Sequence, residues 1–309
     1  MQTLEGLKKR IKTTSSLKDI VSSMKTLSAV SVGQYEKSTR ALQNYSDVIE
    51  KALQAILKDT TIPDVKKSKG KQKVIAVLIG SDQGLVGKFN KMIVNYAFRY
   101  FKENGMDKND ITLIVAGRSL SSKVLSEGWN VNTLFTMPSS VKMMISVAKK
   151  IILRLTELHI EGESDEDAYL NFSKGDLKVI LFYNRKVSAT SFDQDMVQLL
   201  PVDTEFLKKI QKRKWDDNQI PMYNYDEVGL FSSFIRQLLF VNVYKAISQS
   251  LSAEHFTRMM TMQNAEKNID EHLEQMNLEY QQRRQTEITD ELLDVVTGAE
   301  VLKNKKKKY

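Results

Sequence analysis

The chain has 309 residues, 41% of them hydrophobic, which allows one or two domains with a proper core. Its formal charge of +8 is concentrated at one end, because Lys303, Lys305, Lys306, Lys307 and Lys308 form a terminal run; the remainder is nearly balanced and gives no broad nucleic-acid signal. There is no cysteine, which excludes disulfides and thiolate metal sites.

Residues from about Thr3 to Lys58 read as one long helix. Its apolar residues form two stripes, Leu17, Ile20, Met24 and Leu27, then Leu42, Tyr45, Ile49, Leu53 and Ile56. Met1 to Arg10 is charged and lacks an apolar run of signal-peptide length. Pro63 to Lys73 reads as a hinge.

The middle of the chain changes character. Val74–Ile79 is a continuous apolar run of the kind that forms a buried parallel strand, and Ile111–Ala116 and Leu177–Tyr183 read as further strands. Val131–Phe135 is a shorter candidate, and Ser188–Leu200 reads as an edge or antiparallel strand. Helices are expected between them, including Ser139 to Leu158. This alternation predicts a small, mainly parallel, Rossmann-like α/β domain over 74–205, followed by a connector over 206–226. Glu161 to Asp167, with its five acidic residues, reads as an exposed loop.

From Glu227 to Glu300 there is no proline, and the glycines Gly229 and Gly298 sit at the two ends. Such a helix would run roughly 110 Å. Its middle places Met259, Met262, Glu266, Ile269, Leu273, Met276 and Tyr280 at alternating spacings of three and four, the seam of a coiled coil. Residues 301–309 are expected to be a disordered basic tail. The most apolar stretch, Leu230 to Tyr244, is too short and too polar to span a bilayer, so a soluble chain that meets membranes only through a partner is expected.

The two terminal helices flank the same domain and should therefore pair antiparallel as a long two-helix coiled coil, with 1–60 forming one strand and 227–300 the other. Counting outward, Thr3 falls opposite roughly residue 282. Beyond it, Ile288, Leu292, Leu293, Val295 and Val296 continue the apolar pattern without an intrachain partner. A free helix of that length is marginal in water and would expose an apolar patch. Another protein should enclose it.

Signs of catalysis are weak. His159, His255 and His272 are scattered and lack metal or base–nucleophile spacing. The turn from Gly80 to Gly87, between a strand and a helix, is where phosphates often bind. It fails the P-loop pattern, because Leu85 stands where the second glycine belongs and Phe89 where the metal-binding hydroxyl belongs. Gly80, Asp82, Gly84 and Gly87 read instead as a tight structural turn. Two alternatives stay open on the residues alone: a nucleotide-binding α/β enzyme using this turn, and a coiled-coil scaffold whose basic tail grips nucleic acid or anionic membrane.

The carboxy-terminal helix, through Ser252, Glu254, His255, Arg258, Met259, Met262, Asn264 and Ala265, resembles the gamma subunit of F-type rotary ATP synthases. Further on, Arg284, Gln285, Ile288, Thr289, Glu291 and Leu292, then Gly298 and Ala299, are similar to that family's N-x-x-R-Q-x-x-I-T-x-E-L segment and its Gly-Ala ending. Ser81 to Gly87 with Asn90 resembles its S-D-R-G-L-C-G-x-x-N element, and Lys9-Arg10-Ile11 with Ile20 to Met24 its amino-terminal segments. Gln83 and Val86 depart from the usual Arg and Cys, and Asp19 reverses a usual positive charge. These departures suggest a divergent branch, such as an alternative sodium-type ATPase.

The resemblance implies a central stalk. Its partners would be the alpha and beta subunits of the catalytic head, the epsilon subunit and the c-ring, with no nucleic acid and no cofactor or metal. The chain would be non-catalytic and would couple proton or sodium translocation to ATP synthesis or hydrolysis by transmitting torque. It would lie on the cytoplasmic face of the cell membrane as a peripheral protein. By position, Met24, Arg283, Arg284, Gln285 and Glu291 would contact beta subunits, and Ile288, Leu292, Val295 and Val296 would sit in the alpha/beta sleeve.

Overall fold

The computed structural model describes residues 3–58, 73–160, 177–188, 191–215 and 227–306. The elements run α1 (Leu4–Leu57), β1 (Lys73–Ile79), α2 (Phe89–Glu103), a 3-10 turn (Lys108–Asp110), β2 (Ile111–Ala116) and α3 (Arg118–Ser126). They continue with β3 (Thr133–Phe135), α4 (Val141–Ile160), β4 (Leu177–Lys186), β5 (Phe192–Leu200), α5 (Thr204–Lys212) and α6 (Glu227–Lys306). Two compact units result, Met1–Leu27 with Met259–Tyr309, and Ser28–Arg258.

In the first unit α1 and α6 run antiparallel. Lys18 Nζ lies 2.7 Å from Asp270, and Lys25, seven residues on, pairs with Glu266, four residues back. The α6 seam is a line of shielded residues: Met262 is buried, and Met259, Glu266, Ile269, Leu273, Met276 and Tyr280 are half-buried among mostly exposed neighbours. Glu266, an acid in an apolar seam, accepts a hydrogen bond from Lys25, which holds its carboxyl below the ordinary value.

On α1 the expected stripe does not face inward. Leu17, Ile20 and Leu27 are 49%, 57% and 68% exposed. The shielded line is Leu4, Leu7, Ile11, Thr14, Lys18, Val21 and Lys25, again at three–four spacing, with Leu7 fully buried. Two lysine pairs mark the register of this face. One residue is about a 100° rotation, so turning Leu17 inward would swing Lys18 and Lys25 away from Asp270 and Glu266. A lysine stem can cover a seam while its ammonium reaches a carboxylate at the rim.

The second unit holds one five-stranded sheet, ordered β3-β2-β1-β4-β5. The four strands from β3 to β4 are parallel, and β5 is antiparallel to β4 at the edge. The continuous apolar runs are explained by cover on both faces. Val74, Ala76, Leu78 and Phe182 pack under α2 and α3 with Ile93, Phe101 and Leu120. Ile75, Val77, Ile79 and Leu181 pack under α4 and α6 with Met144, Ile151, Val243 and Ile247, joined by Tyr35 of α1. Here too α1 and α6 are tied together, by Thr39 Oγ1 donating to Ser248 Oγ at 2.9 Å and by Ser38 and Tyr244 hydroxyls 2.8 Å apart.

The stretch expected as a connector from 206 contains most of α5, capped by the Asp203 carboxylate on the Glu205 N–H at 2.9 Å. Its Leu207 and Ile210 bury against Ile49, Leu53 and Leu57 of α1 and Ile235, Leu238 and Val241 of α6. At the far end α6 continues to Lys306, past the expected limit at 300. Most of the Pro63–Lys73 hinge, the acidic run 161–167 and the last residues, 307–309, lie outside the described residues.

Candidate functional site

The turn after β1 is built by side chains that close on its backbone. Gly80 leaves no room for a Cβ, which would fall 2.6 Å from the Leu120 Cβ. The Ser81 N–H donates to Asn90 Oδ1 at 3.1 Å, and Asn90 Nδ2 donates to the hydroxyls of Ser81 and Ser119 at 2.8 and 3.1 Å. Asp82 accepts the Arg118 N–H at 2.9 Å on one carboxylate oxygen and the Met137 N–H at 3.1 Å on the other. Gly84 is unconstrained by neighbours, whereas Gly87 takes a left-handed φ of 54°. Val86 and Phe89 then bury against Ala253 of α6 and Phe192.

This is the crevice outside the carboxyl ends of the strands, between β1's neighbours β2 and β4, where doubly wound sheets hold ligands. Here α6 occupies it. Ser250 Oγ donates to the Ile79 carbonyl at 3.5 Å, and beside it lies a buried polar cluster. Arg258 donates to Glu254 Oε1 at 2.7 Å, with both side chains 7% exposed. The second Glu254 oxygen and Arg258 Nε have no hydrogen-bond partner among the described residues. Burial pushes the Glu254 carboxyl up to about 7 despite Arg258, and nearby Asp82 adds to the rise. His255 stacks on Tyr35, centroids 5.4 Å apart, and burial with Arg258 beside it lowers its pKa to about 4.

These groups escaped a sequence reading that sought chemistry by motif spacing. The available signal was a Glu–Arg pair four residues apart within a run of small and apolar residues, Leu251, Ala253, Phe256 and Met259. His272 is exposed, and the side chain of His159 lies outside the described residues.

The contact residues expected on the helices lie in the first unit. Met24 is half-buried. Arg283 pairs with Glu279 at 2.8 Å, while Arg284, Gln285 and Glu291 are exposed. Ile288, Leu292, Leu293, Val295 and Val296 are 47%, 61%, 57%, 70% and 54% exposed. The register set by the two lysine pairs puts Thr3 opposite a residue near 285, so this apolar stretch lies past the end of α1.

A family model described as ATP synthase matches residues 3–302 of a chain with this bare helix end. The chain belongs to the ATP synthase gamma family. It is 26% identical over 310 residues to the ATP synthase gamma chain of Geotalea uraniireducens, covering 98% of this chain and 100% of that one. The gamma chain of Aquifex aeolicus is 26% identical over 302 residues, covering 96% and 97%. A chain from the Euglena gracilis mitochondrial ATP synthase (OSCP/F1/c-ring, rotational state 3) superposes with a TM-score of 0.61 at 17% identity, over 97% of this chain and 94% of that one. A chain from the central stalk/c-ring of the Tetrahymena thermophila enzyme gives 0.52 at 22%, over 80% and 99%. At such identities these structures speak for the fold alone, the gamma fold of terminal helices around a mostly parallel sheet.

Proposed function

We propose that this gamma subunit is the central-stalk rotor of a rotary ATP synthase or ATPase. It carries torque between a membrane c-ring and an alpha/beta catalytic head and contributes no catalytic residue. The observation that carries this reading is the run of five exposed apolar residues from Ile288 to Val296, on a helix past the reach of α1. Enclosing them would contribute on the order of 1 kcal/mol each, which a sleeve of alpha and beta subunits provides. The outward stripe Leu17, Ile20 and Leu27 extends the same argument to α1.

The non-catalytic role is supported by α6 filling the crevice at the switch point of the sheet. Among the described residues no helix is long and apolar enough to cross a membrane. On this reading the subunit meets the bilayer through the c-ring at the cytoplasmic face, with epsilon as a further partner. In the head, the exposed Arg284 offers a planar fork to a beta-subunit loop, with Arg283, Gln285, Glu291 and Met24 as neighbouring contacts.

Solubilised membranes carrying a tagged chain test the reading. Alpha and beta subunits should copurify, and removal of residues 286–306 should release them. In the reconstituted complex, Arg284→Ala with Gln285→Ala should lower coupled ATP turnover several-fold without changing the helicity of the free chain. Copurification that survives the truncation, or unaltered turnover, would refute the assignment of these contacts.

A further inference from the structure

Within the second unit a groove runs between α1 and α4 over the Arg236–Tyr244 part of α6, away from the apolar run 288–296. Two clefts share walls there, the larger of about 720 Å³, and a third adjoins them on the outer face of α4. Its apolar surface comes from Leu42, Tyr45, Ile145, Leu153 and Phe240, of which Ile145 is 47% and Leu153 60% exposed. Lys37, Lys142, Lys149, Lys150 and Arg236 line it, and no carboxylate does so among the described residues. The four lysines form no ion pair among the described residues. Lys18, Lys25, Arg154 and Lys186, by contrast, each meet a carboxylate.

Residues 141–160 explain the feature. One face of α4 (Met144, Val147, Ala148, Ile151 and Leu155) is buried on the sheet. The opposite side still carries Ile145 and Leu153, two turns apart, where a solvated helix would carry polar residues. From Lys142 to Thr156 the wall runs about 20 Å, the length of roughly four helical turns.

We infer that this groove docks an acidic amphipathic helix of a partner protein. Its apolar residues, at i, i+4 and i+7, lie against Ile145, Leu153 and Phe240, and its carboxylates face the lysines. Charge complementarity selects an acidic occupant, since a neutral or basic helix would leave the four lysines facing nothing or one another. The cleft between α1 and α4, floored by Phe240 and Tyr244 of α6, gives protruding apolar side chains of a helix a seat that a planar headgroup layer does not enter. The inference goes beyond the rotor reading, which needs only the terminal helix.

The test uses the full chain in its assembled complex, with a photoreactive phenylalanine analogue at Leu153 and, as a control, at Leu125, exposed on α3 over the opposite face of the sheet. Irradiation should join position 153 to an acidic helical segment of another subunit, and position 125 should not join that segment. Lys142→Glu with Lys149→Glu should reduce the adduct about tenfold while alpha and beta subunits still copurify. An adduct with phospholipid, with this chain's own acidic run 161–167, or with a basic segment would overturn the inference. So would the absence of any adduct at 153, or an adduct that ignores the charge reversal. Because copurification of the head is scored separately, failure here leaves the rotor reading distinguishable.

Discussion

Glu254 and His255 are neighbours in sequence with opposite effects on stability, and together they should hide a pH dependence that either alone would reveal. The Glu254 carboxyl rises from 4.5 to about 7 on folding, so between these values the folded chain binds more protons than the unfolded one. Its contribution is fully present below pH 4.5 and is lost as pH rises to 7. The His255 imidazole falls from 6.5 to about 4, so its contribution is present above pH 6.5 and is lost as pH falls to 4. At about 1.4 kcal/mol per pH unit each amounts to about 3 kcal/mol. The two slopes oppose each other from pH 4.5 to 6.5 and should nearly cancel. His255→Phe, which keeps an aromatic ring over Tyr35, removes the rising arm, and stability relative to the parent should fall by about 3 kcal/mol from pH 4 to 6.5. Glu254→Gln removes the falling arm, and relative stability should rise by a similar amount from pH 4.5 to 7. Urea unfolding of the full chain, followed by the emission of Trp129 in its stack on Phe98, measures both. Difference profiles that are flat for both variants would refute the assignment of these buried groups.

Two further substitutions test the turn at the end of β1. Gly117 holds a φ of 122°, and a Cβ there would stand 2.7 Å from the Ser81 carbonyl oxygen, so Gly117→Ala should cost about 3 kcal/mol in urea unfolding; a loss below about 1 kcal/mol would contradict the geometry. Asp82→Ala removes the acceptor for two backbone N–H groups and should cost about 2–4 kcal/mol. Amide exchange should accelerate at Arg118 and Met137 in particular, and the Glu254 carboxyl should titrate lower than in the parent. Unchanged exchange at those two amides would show that the Asp82 bonds do not hold the turn.

The α/β body was legible because β1 announces itself as an unbroken apolar run, Val74–Ile79, and β2 and β4 are each interrupted by one polar residue, Thr112 and Lys178, before their ends; burial on both faces leaves no other use for such runs. The α6 seam was equally legible. Spacings of three and four survive whatever helix packs against them, and the lone acid among them, Glu266, marks a level at which a cation is needed. The inward face of α1 could not be read the same way. Leu17, Ile20 and Leu27 form the more apolar stripe, yet they face outward, and Lys18 and Lys25 line the seam, where they meet Asp270 and Glu266 of the other helix.

Local pattern alone thus fixed most of the helices and strands, though not α5 or the last turns of α6, together with the antiparallel pairing of α1 with α6 and the stretch from Ile288 to Val296 left without a partner. These follow from backbone periodicity and chain length, which act on neighbouring residues. Only the tertiary structure decided which stripe of α1 turns inward, that α6 fills the crevice over β1, and that a Glu–Arg pair is buried there. Those outcomes depend on which charges meet across two helices far apart in the chain and on the water their contact expels, and no single segment carries that information.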